Sequence, residues 1–279
     1  GENLSAVLRG EIDPLTLLFP ANETPTAADL YGANPVARAL NDTIATWLAA
    51  VAPTGQKLRV LEIGAGTGAT TATALAALAG CDLDYTFTDV SPLFLAQAAK
   101  RFRDHSGITF RVLDIENDPL AQDFASGEFD LIIAANVMHA TRDLATTLQH
   151  TRRLLATGGQ LALIELTAPL AFLDLVFGLT EGWWRFTDTN LRPTHPLLAP
   201  TAWTALLERH GFTAAAAHSF PPSTGAIFRQ QAVFTATASG DTSIAKKLTG
   251  RWLFIGDTDL IFDQSEATIV TTSADDLSP

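Results

Sequence analysis

The chain has 279 residues, of which 47% are hydrophobic and 17% are charged, so it can bury a sizeable core and is not a disordered segment. Its net charge of −12 argues against nucleic acid as a partner, because phosphate binding requires clustered Lys and Arg. A single cysteine, Cys81, excludes a disulfide framework and favours the reducing cytoplasm. We also expect no membrane partner and no signal peptide, because no run is apolar for long enough.

The first 55 residues differ in character from the rest of the chain. "LSAVLRGEIDPLTLLFP" (4–20) and "NPVARALNDTIATWLAAVA" (34–52) have the apolar spacing of amphipathic helices. Pro-containing loops lie between them. We therefore expect a small helical segment at residues 1–55.

From residue 56 to 238 the sequence alternates β-rich runs with helical patterns. Five apolar runs predict strands that are covered on both faces: 59–65, 84–90, 108–114, 129–137 and 160–167. The helical pattern at 142–159 ends in two glycines, which we expect to cap it. This alternation predicts an α/β fold with parallel strands and helices on both faces of the sheet.

A long insertion at residues 168–200 follows the fifth strand. The helical pattern at 201–212 comes next, and 213–220 and 231–238 then form a predicted terminal hairpin. We therefore expect a sheet of six parallel strands into which an antiparallel seventh is inserted.

The stretch "VLEIGAGTGATTA" (60–72) combines a strand, a glycine turn and the start of a helix. Gly64, Gly66 and Gly68 would lie at the carboxyl edge of the sheet, where open α/β folds bind ligands. "GAGTGA" also satisfies the dinucleotide pattern G-x-G-x-x-G/A, and Asp89, 21 residues beyond Gly68, could hold a ribose. The turn alone therefore leaves an NAD(P)-binding module open.

Polar side chains follow successive strands of the predicted sheet. "LEIGAGTG", "FTDVSP" and "LDIEND" resemble the S-adenosylmethionine (SAM) site of class I methyltransferases. The resemblance implies that Glu62 receives the ammonium group, Asp89 binds the ribose hydroxyls and the glycine turn packs against the methionine part. It also implies that Asp114, with Ile115, contacts the adenine and that Asn136 lies near the sulfonium. No metal is expected.

A closer resemblance covers residues 4–238. "YTFTDVSPLFL", "AANVMHATRDL", "LIELTAP" and "FGLTEGWWRFTDTNLRPTHPLL" are similar to the methyltransferase domains of modular type I polyketide synthases. The resemblance implies a Rossmann-like class I methyltransferase fold with a seven-stranded, mostly parallel sheet and an antiparallel last strand. It divides the chain into a helical lid segment (1–55), a SAM-binding core (56–238, with a substrate-side insertion at 168–200), and a linker with the start of a ketoreductase-like region (239–279).

The commonest members of that family methylate the α-carbon of a β-ketoacyl chain, which acyl carrier protein holds through its phosphopantetheine arm. The expected partners are therefore acyl carrier protein and the other synthase domains of the same polypeptide, and the product is S-adenosylhomocysteine. An acidic carrier protein needs basic contacts, so we expect a local basic patch that includes Arg152, Arg153 and Arg185.

The predicted catalytic pair is His139, after the fourth strand, and Glu165, near the end of the fifth. The α-proton between two carbonyls must be removed, and histidine suits this task because its pKa lies near neutrality. If the two strands are adjacent, Glu165 can accept a proton from one imidazole nitrogen and leave the other free as a base. The family resemblance implies the same dyad.

Aromatic residues of the insertion are candidates for the substrate channel. Trp183, Trp184 and Phe186 would form the wall of an acyl and pantetheine channel, or would only pin a lid onto the core. Tyr31 would close over the cofactor, or pack among the amino-terminal helices.

Three alternative functions stay open at this point. An O-methyltransferase on the same fold would act on the β-hydroxyl or the enol oxygen of the carrier-bound chain. An NAD(P)-binding module would use the same glycine turn. A SAM-binding scaffold would keep the site but not catalyse.

Overall fold

A seven-stranded sheet is the centre of the computed structural model, which describes residues 2–18, 34–53, 55–180, 182–240, 252–255 and 269–272. The chain divides into two units, Gly1–Gly240 and Asp241–Pro279, and the sheet lies in the first. Its strands are β1 Leu58–Ile63, β2 Leu83–Asp89, β3 Ile108–Val112, β4 Phe129–Ala135, β5 Leu155–Leu166, β6 Phe212–Ser219 and β7 Gln231–Ala238.

The strand order in this sheet is β3-β2-β1-β4-β5-β7-β6. Strand β7 pairs antiparallel with both β5 and β6, and the remaining pairs are parallel. The sequence-based prediction of a mostly parallel seven-stranded sheet with an antiparallel last strand is therefore confirmed. The carboxyl ends of β1, β2 and β4 meet at one edge, as the parallel pairing requires.

The described helices are α1 Leu4–Leu8, α2 Pro14–Leu18, α3 Pro35–Val51, α4 Ala69–Ala77, α5 Pro92–Arg101, α6 Leu144–Leu154, α7 Ala171–Phe177, α8 Pro200–Arg209 and α9 Ala226–Arg229. The predicted helix at 4–20 is divided into α1 and α2, because Gly10 has a φ of +72° and Pro14 begins a new helix. In the part of the chain that the structure describes, none of the helices combines the length and apolar character needed to cross a membrane.

Residues of the central strands alternate between two hydrophobic clusters on opposite faces of the sheet. Leu61 and Ile63 of β1 belong to the cluster that contains α6 and Trp203 of α8. Val60 belongs to the cluster that contains α4, α5 and Ile44 of α3. This alternation follows from the two-residue period of a strand. Each fully buried aliphatic side chain stabilises the fold by about 1.5–3 kcal/mol, so both faces hold the sheet between helical layers.

The helix predicted to end at the glycine pair ends earlier. Helix α6 stops at Leu154, and β5 begins at Leu155 because this residue pairs with Phe129 of β4. The register of the two strands shifts between Phe129 and Leu131. Gly158, with a φ of +75°, therefore lies at an irregularity inside β5 and not at a helix cap.

The expected basic patch does not include Arg152, because this residue is buried, with only 8% of its surface exposed. Its guanidinium donates hydrogen bonds to the carbonyls of Gly211 and Ser239. Arg153 and Arg185 each pair with a carboxylate. Arg152 therefore joins the amino end of β5 to the segments that flank β6 and β7.

The second unit contains two described strands, Trp252–Ile255 and Ile269–Thr272, which pair in parallel. Parallel neighbours need a crossover connection, so this pairing is typical of the beginning of an α/β region.

Candidate active site

A cavity of about 570 Å³ lies at the carboxyl edge of the sheet. The turn after β1, the ends of β2 and β4, the start of α3 and the helix α7 contribute to its wall. Its polar side chains are Asn34, Asn41, Thr67, Thr70, Asp89, Asn136, His139, Thr180 and Gln231. The rest of the wall is mostly apolar, as is usual for small-molecule sites.

The glycine turn contributes Gly64 and Gly66 to this wall. A Cβ atom on Gly64 would lie 2.6 Å from a side-chain carbon of Val137, whereas one on Gly66 would meet nothing closer than 3.9 Å. Both residues have a positive φ, as does Gly68, which packs against Phe102 instead of lining the cavity. Gly64 is thus required by packing, and Gly66 presents bare backbone to the cavity.

Asp89 supports the same turn from the end of β2. Its Oδ2 accepts the N–H of Gly66 at 2.9 Å, and its Oδ1 accepts the N–H of Ser91 at 2.8 Å. Burial raises the pKa of Asp89, and these backbone hydrogen bonds oppose the rise. Each carboxylate oxygen has a second acceptor position, so Asp89 can brace the turn and still accept from ligand hydroxyls.

Glu62 is 1% exposed and does not line the cavity. Its Oε2 accepts hydrogen bonds from the hydroxyls of Thr71, at 2.5 Å, and Tyr85, at 2.6 Å. Burial raises the pKa of Glu62 to about 7, although both hydrogen bonds lower it. The carboxylate therefore ties β1 to β2 and α4 next to the glycine turn.

Asp114 and Ile115 also lie outside the cavity wall. The carboxylate of Asp114 accepts hydrogen bonds from the N–H of Glu116 at 3.0 Å and from the side chain of Asn117 at 2.7 Å. Ile115 is buried in the core, and its carbonyl lies 2.7 Å from Nδ1 of His150. Among the residues with described side chains, no group of three His, Cys, Asp or Glu residues is placed to hold a metal ion.

Asn136 follows β4 and lines the cavity with a φ of +56°. Its N–H donates to the carbonyl of Ile164 at 2.7 Å. Its side-chain Oδ1 is buried without a hydrogen-bond partner among the described residues. A buried unpaired acceptor costs about 1–3 kcal/mol, so this atom fits a ligand that donates a hydrogen bond or carries positive charge.

The structure brings His139 and Glu165 together. His139 lies in the short 3₁₀ turn after β4, and β4 and β5 are adjacent and parallel. Its Nδ1 lies 2.6 Å from Oε2 of Glu165. The other carboxylate oxygen, Oε1, accepts the N–H groups of Val137 and Met138 at 3.2 and 2.8 Å. Glu165 thus holds both the ring and the backbone of this turn.

The pair is almost completely buried, with His139 5% and Glu165 0% exposed. In the tautomer that carries its proton on Nδ1, His139 donates this hydrogen bond to Oε2 of Glu165, and Nε2 keeps a free lone pair. Because His139 lines the cavity, this arrangement can take a proton from a ligand bound there.

Of the three aromatic residues expected from the insertion, Trp183 lines the cavity, whereas Trp184 and Phe186 do not. Trp183 is 5% exposed and meets the ring of His139 edge-on, with centroids 5.4 Å apart. Trp184 is 47% exposed and donates its indole N–H to a backbone carbonyl. Phe186 packs against the guanidinium of Arg192, 5.2 Å from the ring centroid. Local packing therefore keeps these two rings away from the site.

The predicted lid segment and the predicted substrate-side insertion also line the cavity, through residues that the sequence did not mark as site residues. Asn34 and Asn41 come from the start of α3, and Phe172 and Phe177 come from α7. Asn34 followed by Pro35 is a recognisable signal for the start of a helix. The order of elements along the chain does not indicate that α3 reaches this edge of the sheet. Tyr31, the expected lid residue, lies outside the described residues.

Residues 61–161 match a family model described as a methyltransferase domain. The chain is 41% identical over 219 residues to the non-reducing polyketide synthase ausA of Emericella nidulans. The matched region covers 76% of this chain and 9% of that protein. It thus spans about a tenth of the length of the curated relatives it matches.

Two solved structures have the same fold. The CurJ carbon methyltransferase matches with a TM-score of 0.81 and 43% identity, over 85% of this chain and 64% of that one. The trans-methyltransferase CalH, in complex with SAH, matches with a TM-score of 0.73 and 32% identity, over 85% of this chain and 65% of that one. With the strand order above, these matches show that the chain carries a class I methyltransferase domain related to the methyltransferase domains of polyketide synthases.

Proposed function

We propose that this domain transfers a methyl group from SAM to the α-carbon of a β-ketoacyl chain held by acyl carrier protein. The observation that carries the proposal is the His139–Glu165 pair on the wall of a cavity that also contains the glycine turn. The proposed reaction removes a proton close to the methyl donor. It therefore needs a buried base beside the glycine turn that would hold that donor. The CurJ structure, described as a carbon methyltransferase, supports carbon as the acceptor.

The residues on the wall fit SAM. Gly64 and Gly66 would receive the methionine part against bare backbone, and the two oxygens of Asp89 would accept the ribose hydroxyls. Asn136 would place its unpaired Oδ1 toward the positive end of the donor. When bound, SAM supplies an activated methyl group on a positively charged sulfur.

The remaining cofactor residues would act at the edges of this site. Asp114 and Ile115 would hold the adenine, Gly68 would keep the turn packed, and Glu62 would hold the strand that leads into it. Glu62 is already hydrogen-bonded to Thr71 and Tyr85. We therefore favour a role in which Glu62 supports the turn over one in which it contacts an ammonium group directly.

His139 would act as the base. Its Nε2 takes the α-proton of the β-ketoacyl chain, and the electron pair of the broken C–H bond delocalises onto the neighbouring carbonyls. Glu165 stabilises the imidazolium that forms and keeps the ring in one orientation. General-base catalysis of this kind typically increases a reaction rate by about 10²–10⁴-fold.

The apolar wall would hold the acyl chain. Trp183 packs beside His139, and Phe172, Leu173 and Phe177 of α7 line the same cavity. Burial of these side chains against the substrate would exclude water from the enolate.

The whole protein would work within a polyketide synthase. Acyl carrier protein would deliver the chain, and residues 239–279 would begin a ketoreductase-like region, for which the parallel strand pair in this unit is suitable. The cytoplasmic location is a prediction from cysteine usage.

The test is a methyl-transfer assay with methyl-labelled SAM. A β-ketoacyl carrier protein and its β-hydroxyacyl counterpart are supplied separately, and fragmentation mass spectrometry locates the label. We expect label on the α-carbon of the keto substrate, abolished in His139→Ala and retained in His218→Ala. His218 is a suitable control because it lies exposed on β6 and does not line the cavity.

Other outcomes would select the alternatives. Label on the β-hydroxyl or the enol oxygen would establish O-methylation. No transfer, with SAM binding intact in calorimetry, would favour a silent scaffold. Binding of NAD(P) in place of SAM would overturn the cofactor assignment.

A further inference from the structure

Arg192, in the insertion after β5, is 1% exposed and among the largest fully buried side chains of the described residues. Its Nη1 donates to the carbonyl of His139 at 2.9 Å. Its Nη2 donates to the carbonyls of Thr141 and Arg142 at 2.8 and 3.1 Å. Its Nε donates to Oδ1 of Asp188 at 2.6 Å. One guanidinium therefore binds three carbonyls of the loop that contains His139.

This arrangement depends on the shape of arginine as well as on its charge. A buried cation is costly unless its donors are satisfied, and here each of the three nitrogens has a partner. Asp188 is itself nearly buried, and its Oδ2 accepts the N–H of Leu144 at 3.1 Å at the start of α6. A lysine ammonium is a compact point charge and could not span the same set of acceptors.

Neighbouring residues of the insertion hold the same loop. Thr187 donates its N–H to the carbonyl of Arg142 at 2.8 Å. Glu116, after β3, accepts the N–H of Arg142 at 2.6 Å and pairs with Arg185 at 2.6 Å. The insertion is therefore joined to the His139 loop at several points, with Arg192 at the centre.

We propose that Arg192 is a positioning residue that sets where the imidazole of His139 lies in the cavity. Glu165 holds the ring through Nδ1, and Arg192 holds the backbone carbonyl of the same residue. A side chain that is fixed at its ring and at its main chain has little freedom to turn away from the substrate. This inference rests on the proposed function, because it assumes that His139 is the base.

Arg192 does not line the cavity, so its effect should fall on the rate constant and not on binding. A small displacement of a catalytic group by a mutation outside the reacting centre can reduce a rate by about 10²-fold. We therefore expect kcat to fall while KM for the carrier-bound substrate and Kd for SAM stay nearly constant.

The experiment compares Arg192→Lys with Arg152→Lys. Arg152 is a matched control because it is also buried and also donates to backbone carbonyls, but at the opposite end of β5. We expect Arg192→Lys to lower kcat about 10- to 100-fold with Kd for SAM within about threefold, and Arg152→Lys to keep kcat within about twofold at a similar loss of Tm.

A second variant adds a further prediction for kcat, and a second measurement does not depend on activity. Asp188→Asn keeps Arg192 in place but removes its charged partner, and we expect about a three- to tenfold loss of kcat. Hydrogen–deuterium exchange of peptides that span residues 137–143 should accelerate in Arg192→Lys and Asp188→Asn, but not in Arg152→Lys. This measurement tests the inference even if Arg192→Lys is recovered in low yield.

The outcomes separate this inference from the proposed function. Unchanged exchange in 137–143, or equal losses of kcat in the Arg192 and Arg152 variants, would overturn the role of Arg192. A loss confined to SAM affinity would overturn it as well. If the wild-type protein methylates neither carrier-bound substrate, the proposed function fails, and the exchange experiment still decides whether Arg192 holds the loop.

Discussion

The hydroxyl of Tyr85 donates a 2.6 Å hydrogen bond to the carboxylate of Glu62 inside the sheet, next to the glycine turn. Both groups are buried, and burial raises the pKa of each. The raised pKa of Glu62, about 7, lies well above its ordinary value of 4.5. The folded protein therefore binds a proton there at pH values where the unfolded chain has already released it.

The first prediction concerns Glu62→Gln and stability against pH. The contribution of the raised pKa is fully present below about pH 4.5 and is lost as pH rises through about 7, because the folded state binds more protons in this window. At about 1.4 kcal/mol per pKa unit, the free energy of unfolding of the wild type should fall relative to Glu62→Gln by up to about 3 kcal/mol. Urea unfolding at several pH values measures this, and parallel curves for the two proteins would contradict it.

The second prediction concerns Glu165→Gln. The amide oxygen would go to the two backbone N–H groups of Val137 and Met138, which leaves the NH₂ group facing Nδ1 of His139. The ring would then carry its proton on Nε2 and could not act as a base. We expect kcat to fall about 10²–10⁴-fold with SAM affinity retained. Single-turnover kinetics with isothermal calorimetry checks both, and a kcat within about threefold of wild type would refute the tautomer argument.

The third prediction separates two glycines of the turn. Gly64→Ala places a Cβ atom 2.6 Å from Val137, so we expect a clear loss of stability. Gly66→Ala meets no such neighbour and should lose only about 1 kcal/mol from its positive φ, while Kd for SAM rises about tenfold or more. Thermal unfolding and calorimetry on both variants make the comparison. Equal SAM affinity in Gly66→Ala and wild type would argue against backbone contact at this position.

The fourth prediction compares two adjacent tryptophans. Trp183 lines the cavity beside His139, whereas Trp184 is half exposed outside it. Trp183→Leu should lower kcat/KM for the carrier-bound substrate by about tenfold, because it removes an aromatic contact from the wall. Trp184→Leu should stay within about twofold. Similar losses in both variants would show that they act on the insertion as a whole.

The sheet and the contact between His139 and Glu165 could be predicted for the same physical reason. Parallel strands bring their carboxyl ends to one edge, so residues that follow successive strands, such as Asp89 and His139, must converge there. Each apolar run is long enough to be recognised as a strand. The terminal hairpin indicates where the antiparallel strand lies. The pairing of His139 with Glu165 then required only that β4 and β5 be neighbours.

Other features of the site and of the fold could not be predicted from the sequence. Arg192 acts on backbone carbonyls, which every residue has, so no partner type marks it in advance. Asn41 belongs to a helix that precedes β1, and its approach to the cavity depends on how that helix packs. Gly158 has a positive φ, which suits a helix cap and a strand irregularity equally, so its residue type could not distinguish them.

The late position of β7 has a consequence for synthesis of the protein. Strand β5 ends at Leu166, but its second neighbour, β7, begins at Gln231, after β6 has already been made. At about 5–20 residues per second, the ribosome leaves the outer edge of β5 without its partner for several seconds. The open edge presents unpaired backbone N–H and C=O groups, and the strand itself is apolar, with Leu163 and Ile164 both buried in the finished fold. The nascent chain thus offers a strand-pairing surface to chaperones or to other nascent chains until the final hairpin closes the sheet.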